Sequence, residues 1–284
     1  MSPMDENLPH TTWRLIISDP QRGSSNMAQD SAILAAIGRG DVPPTLRLYR
    51  WDPPCLSLGY SQPSADVDLP RLRERGWDLV RRPTGGRAIL HTDELTYAVI
   101  GPRTDPRLEG GLMDSYRRIS RALFQALLSL GVPVEVHQGK NPLAYHQPVC
   151  FENPSDFEIT VAGKKIIGSA QARKKEGILQ HGSLPLSGDL TRITQVLAYP
   201  SEQQRDQAAQ TLLEKGETVA SVLGRDIPWD EAARAFTDAF QAVLNLDLRT
   251  GELTPAEMET AEALVQEQYG NPAWTQGNHL KSDD

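Results

Sequence analysis

Near the middle of the chain stands Gly163-Lys164-Lys165-Ile166-Ile167-Gly168-Ser169-Ala170-Gln171, in which a turn at Ala162-Gly163 opens into a strand pattern. Residues 156–161 alternate polar and apolar side chains before it, and residues 177–186 supply a third strand pattern after it. Strands joined by such short turns pair with their neighbours along the chain. The middle of the sequence therefore predicts an antiparallel meander of three strands.

Strand patterns dominate the first half of the chain, and helical patterns dominate the tail. Strands are predicted where β-branched, aromatic and leucine residues cluster between turn signals, at residues 13–17, 46–51, 56–60, 78–82 and 95–100. Pro53-Pro54 suits a hairpin-like bend between two of them. Helices are predicted by apolar spacing and caps, at residues 26–39 with Asn26 as cap, 114–130, 202–213, 229–244 and from the capping box Thr254-Pro255-Ala256-Glu257 to Gly270. We expect an α+β fold, with a mostly antiparallel central sheet flanked by helices and a helical C-terminal segment.

The composition is that of an ordinary globular protein. The 284 residues are 39% hydrophobic and 23% charged, with a net charge of -8. This acidic balance argues against nucleic-acid or anionic-membrane binding. No signal peptide or membrane span is visible, and two distant cysteines do not suggest a disulfide scaffold. We expect a reduced, cytoplasmic protein, and the sequence carries no zinc-binding motif that would predict a metal site.

Candidate chemistry begins with the segment Arg81-Arg82-Pro83-Thr84-Gly85-Gly86-Arg87-Ala88-Ile89-Leu90-His91. Glycines let a backbone come close to a ligand, and arginines supply charge-assisted donors. The loop suits an anionic or carbonyl-bearing ligand, and a basic turn between strands is the alternative interpretation. It is not a P-loop, because no Gly-Lys-Ser/Thr ending follows.

Lys165 is the second candidate. If it starts a strand, Ile167 and Ser169 share its face, while Gly168 and Ala170 leave room for a substrate on the other face. A lysine aimed into a cleft can bind an acyl oxygen or tune a neighbouring nucleophile. A surface lysine in a hairpin is the alternative.

Two histidines and a cysteine complete the candidates. His181, in Gln180-His181-Gly182-Ser183-Leu184, could orient a partner or act in acid–base chemistry, and both it and His91 could instead be hydrogen-bonded structural residues. Cys150, beside a polar loop, is a candidate nucleophile that a nearby cation would activate, with a small buried hydrophobe as the alternative. Cys55 lies in an apolar strand pattern and is interpreted as structural.

Three ordered motifs resemble the signature of the lipoate–protein ligase A and octanoyltransferase superfamily. They are Arg81-Arg82-Pro83-Thr84-Gly85-Gly86 with His91, Gly163-Lys164-Lys165-Ile166-Ile167-Gly168-Ser169-Ala170, and Gln180-His181-Gly182-Ser183-Leu184. Asn26-Met27-Ala28-Gln29-Asp30 and residues 51–60 are similar to it as well, so the resemblance covers residues 13–244. It implies a biotin/lipoate protein ligase-like catalytic domain over residues 11–245, followed by a partly flexible helical extension over residues 246–284. It also implies the attachment of octanoyl or lipoyl groups to a lysine of a small acceptor domain.

The superfamily has branches that activate the acyl group differently. Lipoate ligases use ATP and Mg²⁺ and usually carry a third glycine where this chain has Arg87. Residues 85–97 resemble instead the cysteine-dependent octanoyltransferases, and Cys150, fifteen residues before Lys165, matches the position of their nucleophile. The resemblance implies octanoyl transfer through a Cys150 thioester. ATP-dependent lipoate ligation, octanoyl amidotransfer between lipoyl domains and acceptor binding without catalysis are the alternatives.

The transferase branch implies a role for each matching residue. Cys150 and Lys165 are the catalytic pair, and Lys165 holds the acyl carbonyl. The substrate-binding residues are Arg81, Arg82, Thr84, Gly85, Gly86, Arg87, His91, Gly168, Ser169, Ala170, His181 and Gly182. Because the donor is already a thioester, the reaction needs no ATP, metal ion or other cofactor. The implied partners are octanoyl-acyl carrier protein and lipoyl-acceptor proteins (the glycine cleavage H protein and the E2 lipoyl domains of 2-oxoacid dehydrogenases), and we expect a monomer.

Overall fold

A computed structural model describes residues 8–138 and 156–277, which form twelve strands and eight α-helices. The strands are β1 (Thr11–Ile17), β2 (Thr45–Tyr49), β3 (Cys55–Leu58), β4 (Asp78–Arg81), β5 (Ile89–His91), β6 (Glu94–Gly101), β7 (Glu135–Gln138), β8 (Asp156–Val161), β9 (Lys164–Lys165), β10 (Gly168–Lys174), β11 (Gly177–Pro185) and β12 (Leu246–Thr250). The helices are α1 (Gly23–Arg39), α2 (Leu69–Glu74), α3 (Leu112–Ser129), α4 (Glu202–Lys215), α5 (Val219–Leu223), α6 (Trp229–Leu244), α7 (Pro255–Leu264) and α8 (Pro272–Thr275). Short 3₁₀ turns form at Ser64–Asp66 and Leu190–Gln195, and a π-helical turn at Val265–Tyr269 extends α7.

The central sheet has six strands in the order β10-β11-β6-β2-β1-β12. The pairs β10–β11, β11–β6 and β6–β2 are antiparallel, and β1 is parallel to both β2 and β12. Helices α1 and α7 cover one face of the sheet, and α3 and α6 cover the other. This architecture confirms the predicted α+β fold with a mostly antiparallel central sheet.

Helical periodicity located the packing helices well. Helix α6 has the predicted bounds of residues 229–244, and its buried side chains recur on the face that meets the sheet. Phe236 and Phe240 lie with their ring centroids 6.2 and 6.3 Å from that of Tyr97 on β6. Burying such a side chain stabilises the fold by about 1.5–3 kcal/mol. Within the described residues, no helix combines the length and the apolar character needed to cross a bilayer.

The predicted strand over residues 164–171 is in fact two strands in different sheets. β9 pairs with β8 in a small sheet of order β7-β8-β9, whereas β10 pairs with β11 in the central sheet. Ile166 and Ile167 join the two and are both buried in the core. The expectation that Ile167 and Ser169 share a strand face with Lys165 is therefore wrong, because the chain changes sheets where the two isoleucines enter the core.

Two local predictions in the first half are also wrong. Pro53-Pro54 does not form a hairpin bend, because β2 belongs to the central sheet and β3 belongs to a separate sheet of order β4-β3-β5. Asn26 does not cap α1, which begins at Gly23. Instead, Asn26 is buried and its side-chain amide donates to the carbonyl oxygen of Arg50 at 2.9 Å.

The residues after 245 complete the central sheet before they become helical. β12 pairs in parallel with β1, from Thr11 opposite Leu246 to Leu15 opposite Thr250. The Thr254–Glu257 capping box forms as predicted. Glu257 also accepts two hydrogen bonds from the guanidinium of Arg14, at 2.8 and 2.6 Å, with its carboxylate fully buried. The predicted C-terminal helices are thus attached to the first strand of the fold.

Candidate active site

A pocket of about 360 Å³ lies where the small β4-β3-β5 sheet meets one end of the central sheet. Helix α1, strands β2, β3, β5 and β6, and the β10–β11 hairpin each contribute side chains to its wall. The lining residues are Met27, Tyr49, Trp51, Ser57, Arg82, Ile89, His91, Thr96, Gly168, Ser169, Ala170, His181, Gly182 and Ser183. The wall therefore combines aromatic and aliphatic surface with a few buried polar groups, as small-molecule sites do.

Ser57 and His91 of the wall form a chain with Glu94, which we name the His91 relay. The hydroxyl of Ser57 lies 2.8 Å from Nε2 of His91, and Nδ1 of His91 lies 2.7 Å from the carboxylate of Glu94. The ring of Trp51 stacks on His91 with centroids 3.9 Å apart. All four side chains are buried. These contacts fix both the position and the rotation of the imidazole.

Glu94 stays ionised at one end of this relay. Burial by itself raises the pKa of the Glu94 carboxyl, but the adjacent His91 and the hydroxyls of Ser183 and Thr96 outweigh it, so the pKa lies below its ordinary value. The Thr96 hydroxyl donates at 2.5 Å, and the Ser183 hydroxyl donates to the second carboxylate oxygen. Because an ionised carboxylate only accepts, Nδ1 of His91 carries the proton in its contact with Glu94.

A second relay joins Thr84, His181 and Asp30, and we name it the His181 relay. The hydroxyl of Thr84 lies 2.6 Å from Nε2 of His181, and Nδ1 lies 3.5 Å from the carboxylate of Asp30. Asp30 also accepts from the guanidinium of Arg47 at 2.8 Å and from the hydroxyl of Tyr49 at 2.9 Å. The relay therefore links the glycine-containing loop to helix α1 through a strand of the central sheet.

Burial and the Arg47–Asp30 ion pair together set the charges of the His181 relay. It lowers the pKa of the His181 imidazole, and the hydrogen bond and charge of Asp30 only partly oppose that effect. Burial would raise the pKa of Asp30, but Arg47 and His181 hold it below its ordinary value. The relay thus contains a neutral imidazole beside an ionised carboxylate. A neutral imidazole can accept a proton, which is the property required of a base.

The glycine loop, residues 82–87, lies over the pocket. The guanidinium of Arg82 donates to the carbonyl oxygens of Gly85 at 2.8 Å and Arg87 at 2.7 Å, and to the Ser57 hydroxyl at 3.1 Å. Arg82 therefore fixes the loop from inside and connects it to the His91 relay. Gly85 and Gly86 are exposed, whereas the carbonyl oxygen of Gly85 faces Arg82 and that of Gly86 faces Gly59.

Gly59 supports the glycine loop from beneath. An ideal Cβ at this position would lie 1.9 Å from the carbonyl oxygen of Gly86, so only a glycine allows this approach. The backbone N–H of Tyr60 also donates to the carbonyl oxygen of Thr84 at 2.8 Å. The turn at residues 59–62, which we name the support turn, therefore sets the height of the loop above the pocket.

Arg81 has a different place from the one that the motif suggested. Its side chain is fully buried. The guanidinium donates to five backbone carbonyl oxygens, those of Gly59, Tyr60, Gln62, Trp274 and Thr275. These bonds tie the support turn to the C-terminal segment, so the donors of Arg81 are used within the protein.

The structure brings most of the predicted binding residues to one place. Seven of them line the pocket, namely Arg82, His91, Gly168, Ser169, Ala170, His181 and Gly182. Thr84 bonds His181, and Gly85, Gly86 and Arg87 belong to the loop above. Lys165, the predicted catalytic lysine, is not among the residues that line the pocket. It is buried in β9, where its carbonyl oxygen accepts from the backbone N–H of Glu217 at 3.0 Å. Cys150 lies outside the described residues.

Other residues of the site lie in stretches that resemble the family, but no role was predicted for them individually. Glu94 and Ser57 complete the His91 relay, Asp30 completes the other, and Met27 and Trp51 form apolar wall. A carboxylate at the start of the apolar strand β6 was a possible signal for Glu94, since charged residues are seldom buried without partners. Cys55 is fully buried, and burial raises the pKa of its thiol well above the ordinary value, as expected of a structural cysteine. The described residues contain no cluster of three histidine, cysteine or carboxylate side chains that could hold a metal ion.

Comparisons with known proteins agree on one family. Residues 22–241 match the model of the lipoyl protein ligase A/B catalytic domain. The chain is 41% identical to an octanoyltransferase LipM from Symbiobacterium thermophilum over 93% of this chain and 98% of that protein. It is 42% identical to one from Kyrpidia tusciae over 89% of this chain and 95% of that protein. Among solved structures, a bipartite lipoate protein ligase from Thermoplasma acidophilum is similar with a TM-score of 0.80 and 27% identity, over 94% of this chain and 97% of that one.

Proposed function

The chain belongs to the lipoyl protein ligase A/B catalytic domain family, and we propose that it passes an octanoyl group from acyl carrier protein, through a thioester on Cys150, to a lysine of a lipoyl-acceptor domain. The observation that carries the proposal is the near full-length similarity to proteins named octanoyltransferase. Octanoyl transfer in protein lipoylation is the activity that this similarity supports. The thioester and the identity of the donor rest on the sequence motifs.

In the first half-reaction the Cys150 thiolate attacks the carbonyl carbon of the donor thioester. The new carbon–sulfur bond forms while the bond to the carrier's pantetheine sulfur breaks, and that sulfur leaves as a thiolate and takes up a proton. One thioester replaces another, so the step is close to isoenergetic and needs no ATP. Dividing the transfer into two steps is the advantage of covalent catalysis.

In the second half-reaction the ε-amine of the acceptor lysine attacks the Cys150 thioester. An amide bond forms, the carbon–sulfur bond breaks, and the proton lost by the amine goes to the departing sulfur. Lys165 holds the acyl oxygen and stabilises the negative charge that develops there. The backbone N–H groups of Gly85 and Gly86 lie in an exposed loop and contribute to the same oxyanion site.

The pocket is suited to an acyl chain because its wall provides apolar surface on several sides. Met27, Tyr49, Trp51 and Ile89 face the cavity, and Gly168, Ala170 and Gly182 leave space between them. Within each relay the polar groups hydrogen-bond to one another. An apolar acyl chain can therefore lie beside them without leaving a polar group unpaired.

The donor and the acceptors of the proposed reaction are all proteins. The donor is octanoyl-acyl carrier protein. The acceptors are lipoyl domains such as the glycine cleavage H protein and the E2 subunits of 2-oxoacid dehydrogenases. We propose a cytoplasmic location, because a compartment that keeps thiols reduced favours a free cysteine nucleophile.

An acceptor-modification assay with three substrate sets tests the proposal. An apo lipoyl domain receives octanoyl-acyl carrier protein without ATP, or free lipoate with ATP and Mg²⁺, or a second lipoyl domain already octanoylated. We expect the first set to give the octanoylated acceptor, and Cys150→Ser to abolish it. The matched control is Cys55→Ala, which changes the other cysteine of the chain and should retain activity.

The other outcomes separate the alternatives. Acceptor modification that requires ATP and survives Cys150→Ser would identify a lipoate ligase. Transfer only from the octanoylated lipoyl domain would identify an amidotransferase. Acceptor binding without any product would identify a binding protein.

A further inference from the structure

The C-terminal segment, residues 271–277, lies against the end of β4. The carbonyl oxygens of Trp274 and Thr275 accept from Nε of Arg81 at 3.1 and 3.2 Å, and that of Thr275 also accepts from its Nη2 at 2.7 Å. In return the indole Nε1 of Trp274 donates to the carbonyl oxygen of Arg81 at 2.9 Å. We name this reciprocal set of contacts among Arg81, Trp274 and Thr275 the C-terminal clamp.

The other side of the same guanidinium holds the support turn. Nη1 of Arg81 donates to the carbonyl oxygens of Gly59 at 2.8 Å, Tyr60 at 3.0 Å and Gln62 at 2.6 Å. The ring of Trp274 also packs edge-on against that of Tyr60, with centroids 5.8 Å apart. One buried cation therefore fixes the turn and the C-terminal segment relative to each other.

The support turn fixes the position of the glycine loop. Gly59 packs directly against the carbonyl group of Gly86, and the N–H of Tyr60 bonds the carbonyl oxygen of Thr84 at 2.8 Å. Thr84 then contacts His181 in the pocket wall at 2.6 Å. A continuous set of direct contacts thus runs from Trp274 through Arg81 and the support turn to the pocket.

The guanidinium of Arg81 is suited to joining the support turn to the C-terminal segment. A guanidinium presents a planar fork of donors that can serve several carbonyl oxygens at once, whereas a lysine offers a single point charge. Arg81 is fully buried, so the carbonyl oxygens that its guanidinium contacts, and not water, solvate its charge. Burial also lowers the pKa of Arg81. If the C-terminal carbonyl groups move away, a buried charge loses part of its solvation, and the support turn must rearrange to restore it.

We propose that the C-terminal clamp positions the glycine loop for acyl transfer, with Arg81 and Trp274 as positioning residues that act through the support turn without touching the substrate. The inference rests on the proposed function only in that one of its two assays measures acyl transfer. It gives the residues after 270 a purpose in the reaction, although they lie outside the stretch that matches the catalytic-domain model.

The test compares full-length variants in two assays. Trp274→Ala removes the ring and the indole donor, and Trp274→Phe keeps a ring against Tyr60 but removes the donor. Amide hydrogen exchange is measured over residues 82–88, and the rate of Cys150 acylation is measured in a single turnover with octanoyl-acyl carrier protein. Alkylation of Cys150 by iodoacetamide reports whether the cysteine itself is disturbed.

The matched control is Arg107→Gln. Arg107 is another buried arginine whose guanidinium donates to backbone carbonyl oxygens, those of Leu244 at 2.9 Å, Asn245 at 3.1 Å and Pro9. Its loss should lower stability without affecting the glycine loop. A general effect of lost stability would therefore appear in this variant as well as in the clamp variants.

We expect Trp274→Ala to speed exchange over residues 82–88 at least tenfold and to slow Cys150 acylation about tenfold or more, with unchanged alkylation. Trp274→Phe should lie between it and the wild type, and it provides the measurement if Trp274→Ala does not fold. Unchanged exchange in both variants, or equal changes in Arg107→Gln, would overturn the clamp. Absence of any acylation in the wild type would count against the proposed function alone, since hydrogen exchange still decides the clamp.

Discussion

Gly59→Ala tests the contact that sets the height of the glycine loop. The added Cβ would start 1.9 Å from the carbonyl oxygen of Gly86, whereas real Cβ atoms stay at least 3.0 Å from such a neighbour. The backbone conformation at Gly59 is one that alanine can adopt, so the clash must be relieved by moving the loop or the turn. The required movement is about 1 Å, and a displacement of that size in a positioning element can cost about 100-fold in rate.

We expect Gly59→Ala to lower the kcat/KM of octanoyl transfer about 100-fold and to cost about 1–3 kcal/mol in the free energy of unfolding through overpacking. Steady-state transfer and urea unfolding measure the two quantities. The control is Gly40→Ala at the exposed end of α1, where φ is +78° and no atom lies within 4 Å of the new Cβ. Left-handed strain should cost it a similar 1–2 kcal/mol without loss of activity. Full activity in Gly59→Ala would refute the role given to this contact.

Three further predictions concern the relays and Lys165. Glu94→Gln should lower the free energy of urea unfolding by roughly 2–3 kcal/mol, because three hydrogen bonds lose a charged acceptor, and an unchanged midpoint would contradict this. Wild-type stability should fall as pH drops below the ordinary histidine pKa of 6.5, since the unfolded state then takes up a proton that buried His181 resists. His181→Gln should flatten this fall in urea titrations across that range, and an equally steep fall would show that His181 does not cause it. Lys165→Ala should slow transfer about 100-fold while circular dichroism shows a native fold, and wild-type turnover would remove Lys165 from the mechanism.

Apolar periodicity correctly predicted the helices and strands that pack on the core through one apolar face. Helices α3 and α6 and strands β1, β2 and β6 lie close to their predicted positions, because their buried side chains repeat with the period of a helix or a strand. The change of sheet at Ile166 and Ile167 could not be predicted in the same way. Two buried isoleucines satisfy a continuous strand as well as a crossing between sheets, and only the pairing partners distinguish them.

The site was predictable in its motifs and not in its connections. Pocket-lining residues such as His91, His181 and Gly168 were found because they lie in ordered motifs. Their partners come from distant parts of the chain: Ser183 is 89 positions from Glu94. Long-range hydrogen bonds leave no periodic signal, so the relays become visible only in three dimensions.

The contacts of Arg81 were also not predictable from the motif in which it lies. Two adjacent arginines suggest the same role in the sequence, yet successive residues of a strand point to opposite sides. Arg82 therefore reaches the pocket and the glycine loop, whereas Arg81 reaches the C-terminal segment 193 residues away. The alternation along the predicted strand indicates opposite directions for the two side chains, but not which residues each of them contacts.

The central claim is that Cys150 carries the octanoyl group between two proteins. The most direct measurement is intact mass spectrometry of the protein after incubation with octanoyl-acyl carrier protein and no acceptor, followed by peptide mapping. We expect a mass increase of one octanoyl group, located on Cys150 and discharged when apo lipoyl domain is added. An adduct on Cys55, an adduct that the acceptor does not discharge, or no adduct while the acceptor is still modified would contradict it.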